Sequence, residues 1–228
     1  MIKIILSSFL VTLLFTPFGV YFHKGNNLTS FSLQLIFGLI LISFFALFFN
    51  FFFSLNQLLN SIFLLFSLII IFKYRKIYLS KKFFIFCFFS LFIIFLLITN
   101  SNMYRPDAGL YHLPYISILN EHKIIFGSAN LHWRFGNVSI LQYFSAIFNN
   151  LIFKDNGILM PLALLYSIFV SFFLFNTFKK KNKNYLKILS FLFLAYILSA
   201  MNRYSGFGND APAHMFYFLT IFYFIKEQ

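Results

Sequence analysis

Two aspartates, a few histidines and arginines, and a small set of aromatic residues hold the chemistry available to this chain. They sit in two polar interruptions of an otherwise apolar sequence. The longer interruption, Asn100 to Arg134, contains Arg105, Asp107, Tyr111, His112, His132, Trp133 and Arg134; the shorter, 202–211, contains Arg203 and Asp210. A carboxylate such as Asp107, placed where the chain leaves a membrane, can serve as a general base or a metal ligand. It equally fits the plainer role of a helix N-cap that accepts hydrogen bonds from the free amides of a first turn. His112 follows close enough in the chain to share a site with Asp107, with Pro114 disturbing the helix just beyond it. Asp210 has the same two readings, and Pro212 in the following turn suits the cap.

The neighbouring side chains suggest what such a site would hold. Arg105, Lys123, Arg134 and Arg203 border apolar runs, a setting that suits either the phosphate of an amphiphilic ligand or ordinary headgroup contact. Trp133, with Tyr111 and Tyr115, suits sugar stacking or an interfacial aromatic belt. His132 has no obvious partner in the sequence. HExxH, P-loop, GxSxG and CxxC patterns are absent, which argues against the usual zinc peptidases, ATPases and serine hydrolases.

The elements that position these residues follow from composition. Of the 228 residues, 61% are apolar, 24% aromatic and only 10% charged, too few polar groups to clothe a soluble core. The expectation is an all-α polytopic membrane protein, about seven transmembrane helices plus extracytoplasmic interfacial helices, in one membrane domain spanning 1–228. Forty Phe with abundant Ile, Lys and Asn fit an AT-rich bacterial coding sequence. The net charge of +13 comes from Lys and Arg that flank apolar runs as membrane anchors do, so no nucleic acid is expected as a partner. Cys87, the sole cysteine, lies inside an apolar run and offers no intramolecular disulfide or thiolate metal site.

Seven runs have spanning character: Ile4 to Phe22, Phe31 to Phe53, Leu58 to Phe72, Phe83 to Thr99, Ile158 to Phe178, Tyr185 to Met201 and Ala211 to Ile225. Two Lys/Arg clusters, at 73–82 and 179–187, mark cytoplasmic loops, so the chain crosses an even number of times between them. Three apolar stretches lie between those marks. The stretch that does not fit is Val138 to Phe153, where Gln142, Ser145 and Asn149 form a polar stripe opposite Ile140, Leu141, Phe144, Ile147, Phe148 and Leu151. Such a helix is expected in the interface plane, which makes 100–157 one extracytoplasmic region and 202–211 a second outer loop. The N-terminus is then outside and the C-terminus cytoplasmic, in a bacterial inner or plasma membrane. Glu227 and Gln228 directly follow the last run, as in a fragment of a longer protein or a shortened gene product.

An outer-face Asp after a membrane helix, a Tyr-bearing helix, a polar-aromatic loop and a second interfacial helix resemble the first extracytoplasmic loop of GT-C type glycosyltransferases. The carriers are Asp107 with Tyr111-His112, then Arg134-Phe135-Gly136, then Ser139 to Phe153. The segment from Asn120 to Gly136 is similar, more narrowly, to an uncharacterised family of bacterial polytopic proteins of that class. The resemblance implies sugar transfer from a polyprenyl-phosphate carrier to a cell-envelope glycan or lipid. It makes Asp107 the base for the acceptor hydroxyl, Asp210 its assistant, and Arg134 or Arg203 the phosphate ligand. A divalent cation, Mg or Mn, would fall to Asp107 and Asp210. The family's common Asp-Glu pair is Asp107-Ala108 here. The competing reading is a transporter or scaffold subunit for envelope lipids, which would place ionisable groups near the midplane of its spans; these runs contain almost none.

Overall fold

A computed structural model describes residues 2–99, 108–136, 139–153, 160–200 and 210–228. Arg105, Asp107 and Arg203 lie outside the described residues, as does the side chain of Asp210. The described residues are all-helical. The main helices are α1 (Ile2–Phe15), α2 (Leu28–Asn50), α3 (Gln57–Lys73), the single turn α4 (Arg75–Tyr78) and α5 (Lys81–Thr99). They are followed by α6 (Leu113–Glu121), α7 (Ile140–Ile147), α8 (Met160–Thr177), α9 (Asn184–Ser199) and α10 (Asp210–Glu227). Among the described residues, each of the seven apolar runs carries a helix. By length and composition, two helices among the described residues, α2 and α8, are long and apolar enough to cross a membrane.

Local chemistry sets the helix ends. Pro17 removes a backbone donor, and α1 gives way to a 3-10 stretch, Thr16–Tyr21. Asn27 caps α2, its Oδ1 accepting from Ser30 N at 2.9 Å; Asn56 caps α3 through Leu59 N, also at 2.9 Å. The 3-10 stretch then folds back on α2. A Cβ on Gly19 would collide with the backbone of Gln34, and one on Gly38 would lie 2.6 Å from the Phe15 carbonyl. This close crossing of backbones needs glycine on both sides.

Helix α8 is the hub, with residues 160–173 all buried between α2, α5 and α9. Aromatic packing fills the space around it. Phe15 stacks on Phe148 with centroids 4.7 Å apart, and Phe172 meets Phe222 edge-on at 5.3 Å. Hydroxyls bridge the helices inside: Thr12 and Ser90 are 3.2 Å apart, Ser90 and Ser167 2.7 Å, and Ser67 donates to the Leu14 carbonyl. The exterior of the described bundle carries Phe44, Phe48, Leu65, Phe66, Ile69, Phe88, Phe191 and Leu192, all exposed.

The stretch expected as an interfacial helix behaves differently. Its helix is confined to Ile140–Ile147, and every residue from 142 to 148 is buried, Gln142 and Ser145 of the polar stripe included, while Asn149 is half-buried. Gln142 meets His112, and Asn149 meets Gln57 and Asn120. The stripe turns inward because α3 and α6 offer amide and imidazole partners there.

Candidate functional site

Five of the nine side chains singled out in the sequence converge at one end of α2, the end that carries Asn50. A π-helical turn, Ala108–His112, leads into α6, whose first turn contains Pro114. Such turns widen the helix and redirect its side chains. His112 is 5% exposed, and its Nδ1 lies 3.4 Å from Gln142 Nε2. The Gln142 amide is oriented by the α7 capping box, since the Ser139 backbone N–H donates to Gln142 Oε1 at 3.0 Å. Gln142 Nε2 is therefore the donor and His112 Nδ1 the acceptor. This assigns His112 as a neutral imidazole with its proton on Nε2.

The 122–136 loop brings the second half of the cluster. Gly127 takes a left-handed conformation (φ 79°), followed by two 3-10 turns, Ser128–Asn130 and Trp133–Gly136. The Tyr111 and His132 rings face each other at 6.3 Å with 13° between their planes, and His132 and Trp133 at 6.3 Å with 18°. The Arg134 guanidinium sits 4.1 Å from the Trp133 ring centroid and 5.0 Å from that of Tyr111. Its backbone N–H donates to His132 Nδ1 at 3.3 Å. Arg134 is exposed and Trp133 is 63% exposed. The result is a cation held on an aromatic platform and open on its outer side. Beneath it, Tyr115 packs on Phe135 at 5.4 Å. Burial, and then a hydrogen bond to Tyr143, holds the Tyr115 phenol well above its ordinary range, so Tyr115 stays protonated.

A carboxamide frame supports this surface. Asn60 Nδ2 lies 2.6 Å from the Leu55 carbonyl, 2.7 Å from that of Asn149 and 2.9 Å from that of Ala146. Asn120 Nδ2 donates to Leu55 and Ala146, and Asn149 Nδ2 to Asn120 Oδ1. Asn50 joins α2 to the His122 carbonyl at 3.1 Å. These bonds tie α6 and α7 to the ends of α2 and α3. Sequence reasoning missed Gln142 and Asn60 as site supports, although an Asn within an apolar run and a Gln opening a polar stripe were the available signals.

Asp210 opens α10 as its first residue, in the position of a helix start. Among the described residues, no group of three or more His, Cys, Asp or Glu side chains is placed to hold a metal ion. The described cluster can bind an anion through Arg134, stack a flat or ring-shaped group on Trp133, and donate a hydrogen bond from a neutral imidazole.

A family model described as a domain of unknown function, DUF8201, matches residues 1–228. No curated protein and no solved structure matches the chain.

Proposed function

We propose that this chain, which belongs to the DUF8201 family, is a GT-C-like membrane glycosyltransferase. It moves a sugar from a polyprenyl-phosphate carrier to a cell-envelope glycan or lipid at the outer face of a bacterial inner or plasma membrane. The observation that carries the reading is the Arg134 guanidinium held between Trp133 and Tyr111, beside buried His112. A phosphate-linked sugar presents the complementary pair, an anion next to a ring with apolar faces. The donor lipid reaches that pair along an apolar exterior.

The membrane placement draws support from polarity. Large apolar side chains face outward on α2, α3, α5 and α9, while Ser8, Thr12, Ser32, Gln34, Ser43, Asn60, Ser67, Ser90, Ser167 and Ser171 are buried. This inversion suits hydrocarbon as solvent, where hydroxyls and amides glue helices together. We assign all seven apolar runs as spans, with the N-terminus outside and the C-terminus cytoplasmic. The basic loops then lie at one end of α2 and the Arg134 cluster at the other.

In the proposed reaction the acceptor hydroxyl attacks the anomeric carbon as the C–O bond to phosphate breaks. The bond's electrons leave with the lipid phosphate, which Arg134 and Arg203 hold. The hydroxyl proton passes to Asp107, with Asp210 assisting. Arg105, Tyr111, His132 and Trp133 bind the donor, and His112, its Nε2–H presented by Gln142, donates to a substrate oxygen. Configuration inverts in this single displacement. Any divalent cation would be held by Asp107 and Asp210.

The test is transfer of radiolabelled sugar from polyprenyl-phosphate donors in membranes containing the chain, with Asp107→Asn and Arg134→Gln at matched expression. Label that moves only with both residues intact supports the enzyme. Equal label in all three removes both residues from the reaction. No label in any, with a working control transferase, favours an envelope-lipid transporter or scaffold.

A further inference from the structure

Helices α6 and α7 lie against each other and are joined by polar contacts at both ends. At their N-terminal ends, His112 Nδ1 accepts from Gln142 Nε2 at 3.4 Å. At their C-terminal ends, Asn120 Nδ2 donates to the Ala146 carbonyl at 3.0 Å, and Asn120 Oδ1 accepts from Asn149 Nδ2 at 3.1 Å. The pair therefore runs in one direction, with a polar rung at each end.

The far rung is gripped in turn by one face of α3, where Gln57, Asn60 and Ser61 stand at i, i+3 and i+4. Gln57 Nε2 donates to Asn149 Oδ1 at 2.9 Å, and Ser61 Oγ accepts from the Leu151 N–H at 3.1 Å. Between them, Asn60 Nδ2 faces the Ala146 and Asn149 carbonyls at 2.9 and 2.7 Å. Helix α7 has eight residues, too few to hold a position by its own hydrogen bonds. Its C-terminal carbonyls need outside donors, and Ala146 is fully buried, so the amides of α3 and α6 supply them. Asn60 does so although its Oδ1 is left buried with no hydrogen-bond partner among the described residues. Where α7 sits is thus decided at its far end.

That placement is felt beside the Arg134 platform. The Gln142–His112 contact, at 3.4 Å, is near the long limit of a hydrogen bond, so a small slide or rotation of α7 breaks it. Which imidazole nitrogen carries the proton is set by the hydrogen bond that the other one makes.

We propose that Asn60 and Asn120 are positioning residues: by holding the C-terminal end of α7 they keep Gln142 on His112 Nδ1, and so keep the imidazole proton on Nε2. The use of that Nε2–H rests on the proposed function. Its place on the ring does not, and is read without sugar transfer.

The test is NMR of the histidine ring nitrogens in the full chain in detergent, with His112→Gln to assign the signal. Wild type should show a single tautomer, Nε2–H. In Gln142→Leu, Asn60→Leu and Asn120→Leu the ratio of Nε2–H to Nδ1–H should fall about tenfold, as for the loss of one hydrogen bond. The control is Phe222→Ala, whose ring partners Phe172, Phe173 and Tyr223 all lie on α8 and α10. It should loosen the bundle and leave His112 as Nε2–H. A tautomer mixture or an Nδ1–H ring in wild type overturns the proposal. An unaltered Nε2–H ring in Asn60→Leu and Asn120→Leu overturns their positioning role, and so does an equal mixture in Phe222→Ala, which would trace the change to general loosening. Should the two Asn variants not fold, Gln57→Leu takes their place, because Gln57 is half-buried and gives up one hydrogen bond. It should move the ratio the same way by a smaller factor, and an unmoved ratio there overturns the proposal. Sugar transfer enters none of these outcomes, so the proposed function is decided by its own assay.

Discussion

Buried carboxamides lie at each end of α2, and the two ends differ in how completely these groups are satisfied. At the basic end, Gln34 Nε2 donates to the His23 carbonyl at 2.8 Å and to that of Gly25 at 2.9 Å, while its Oε1 accepts from Tyr78 at 3.0 Å. At the polar end, Asn60 Nδ2 faces three carbonyls, more than its two hydrogens can serve at full strength. The Asn60 and Asn50 Oδ1 atoms are buried with no hydrogen-bond partner among the described residues. The basic end is therefore locally complete in its neutral hydrogen bonds and strained in its charges. The polar end is the reverse, with fewer charges but frustrated amides beside the Arg134 platform. Local rules are broken most often near sites that bind something, and both ends break one.

The largest effect should come from disturbing the crossing at the basic end. Gly19→Ala puts a methyl into the Gln34 backbone, and the expected cost is about 3 kcal/mol or more, read as loss of folded chain in thermal unfolding in detergent. A near-silent Gly19→Ala would mean the 3-10 stretch stands away from α2.

Asn60→Leu tests the polar end directly. It strips the Asn149 carbonyl of its side-chain donor and leaves two others to Asn120 alone, at a cost of about 2–3 kcal/mol. Limited proteolysis should open the 122–139 loop before the helices melt. If the basic end opens first, the two ends are coupled more tightly than their separate hydrogen bonds imply.

Arg134→Gln should leave stability almost untouched, because the side chain is exposed. The proposed sugar transfer should fall about thirtyfold, the loss expected when one charge-assisted contact of roughly 2 kcal/mol is removed. Unchanged transfer with unchanged stability would detach the aromatic platform from any anion.

A smaller effect is expected inside the bundle. Ser90→Ala breaks the hydroxyl bridge from Thr12 to Ser167 and should lower stability by about 0.6 kcal/mol, measured against Ser90→Thr in the same detergent.

The smallest effect is a pH dependence confined to the basic end. The folded chain holds the His23 pKa below the unfolded value of 6.5, so the unfolded chain binds the extra proton first as pH falls. Stability should rise with pH up to about 6.5 and decline below it. His23→Gln should flatten that decline, and Lys179→Gln with Lys226→Gln should shrink it. A decline untouched by all three substitutions would trace to other groups.

Much of the architecture was legible in the residues. Seven apolar runs predicted seven helices, and each run carries a helix among its described residues, because unbroken apolar stretches leave the backbone few other ways to satisfy itself. Tyr111, His112, His132, Trp133 and Arg134 were selected for their chemistry alone, and they meet in space. The inward turn of α7 was not legible. Periodicity shows that Gln142, Ser145 and Asn149 share a face, but a polar face turns toward water or toward a polar partner with the same pattern. His112 and Asn120 supplied the partner.

The sequence by itself determined the helical content and the separation of basic loops from the histidine-rich segment. Each follows from local propensity, capping and hydrophobic runs, which act over a few residues. Only the tertiary structure decided that Arg134 lies on Tyr111 and that Gln142 orients His112. The Arg134–Tyr111 and Gln142–His112 pairings join groups separated in sequence by a helix and a loop, and no local propensity specifies them.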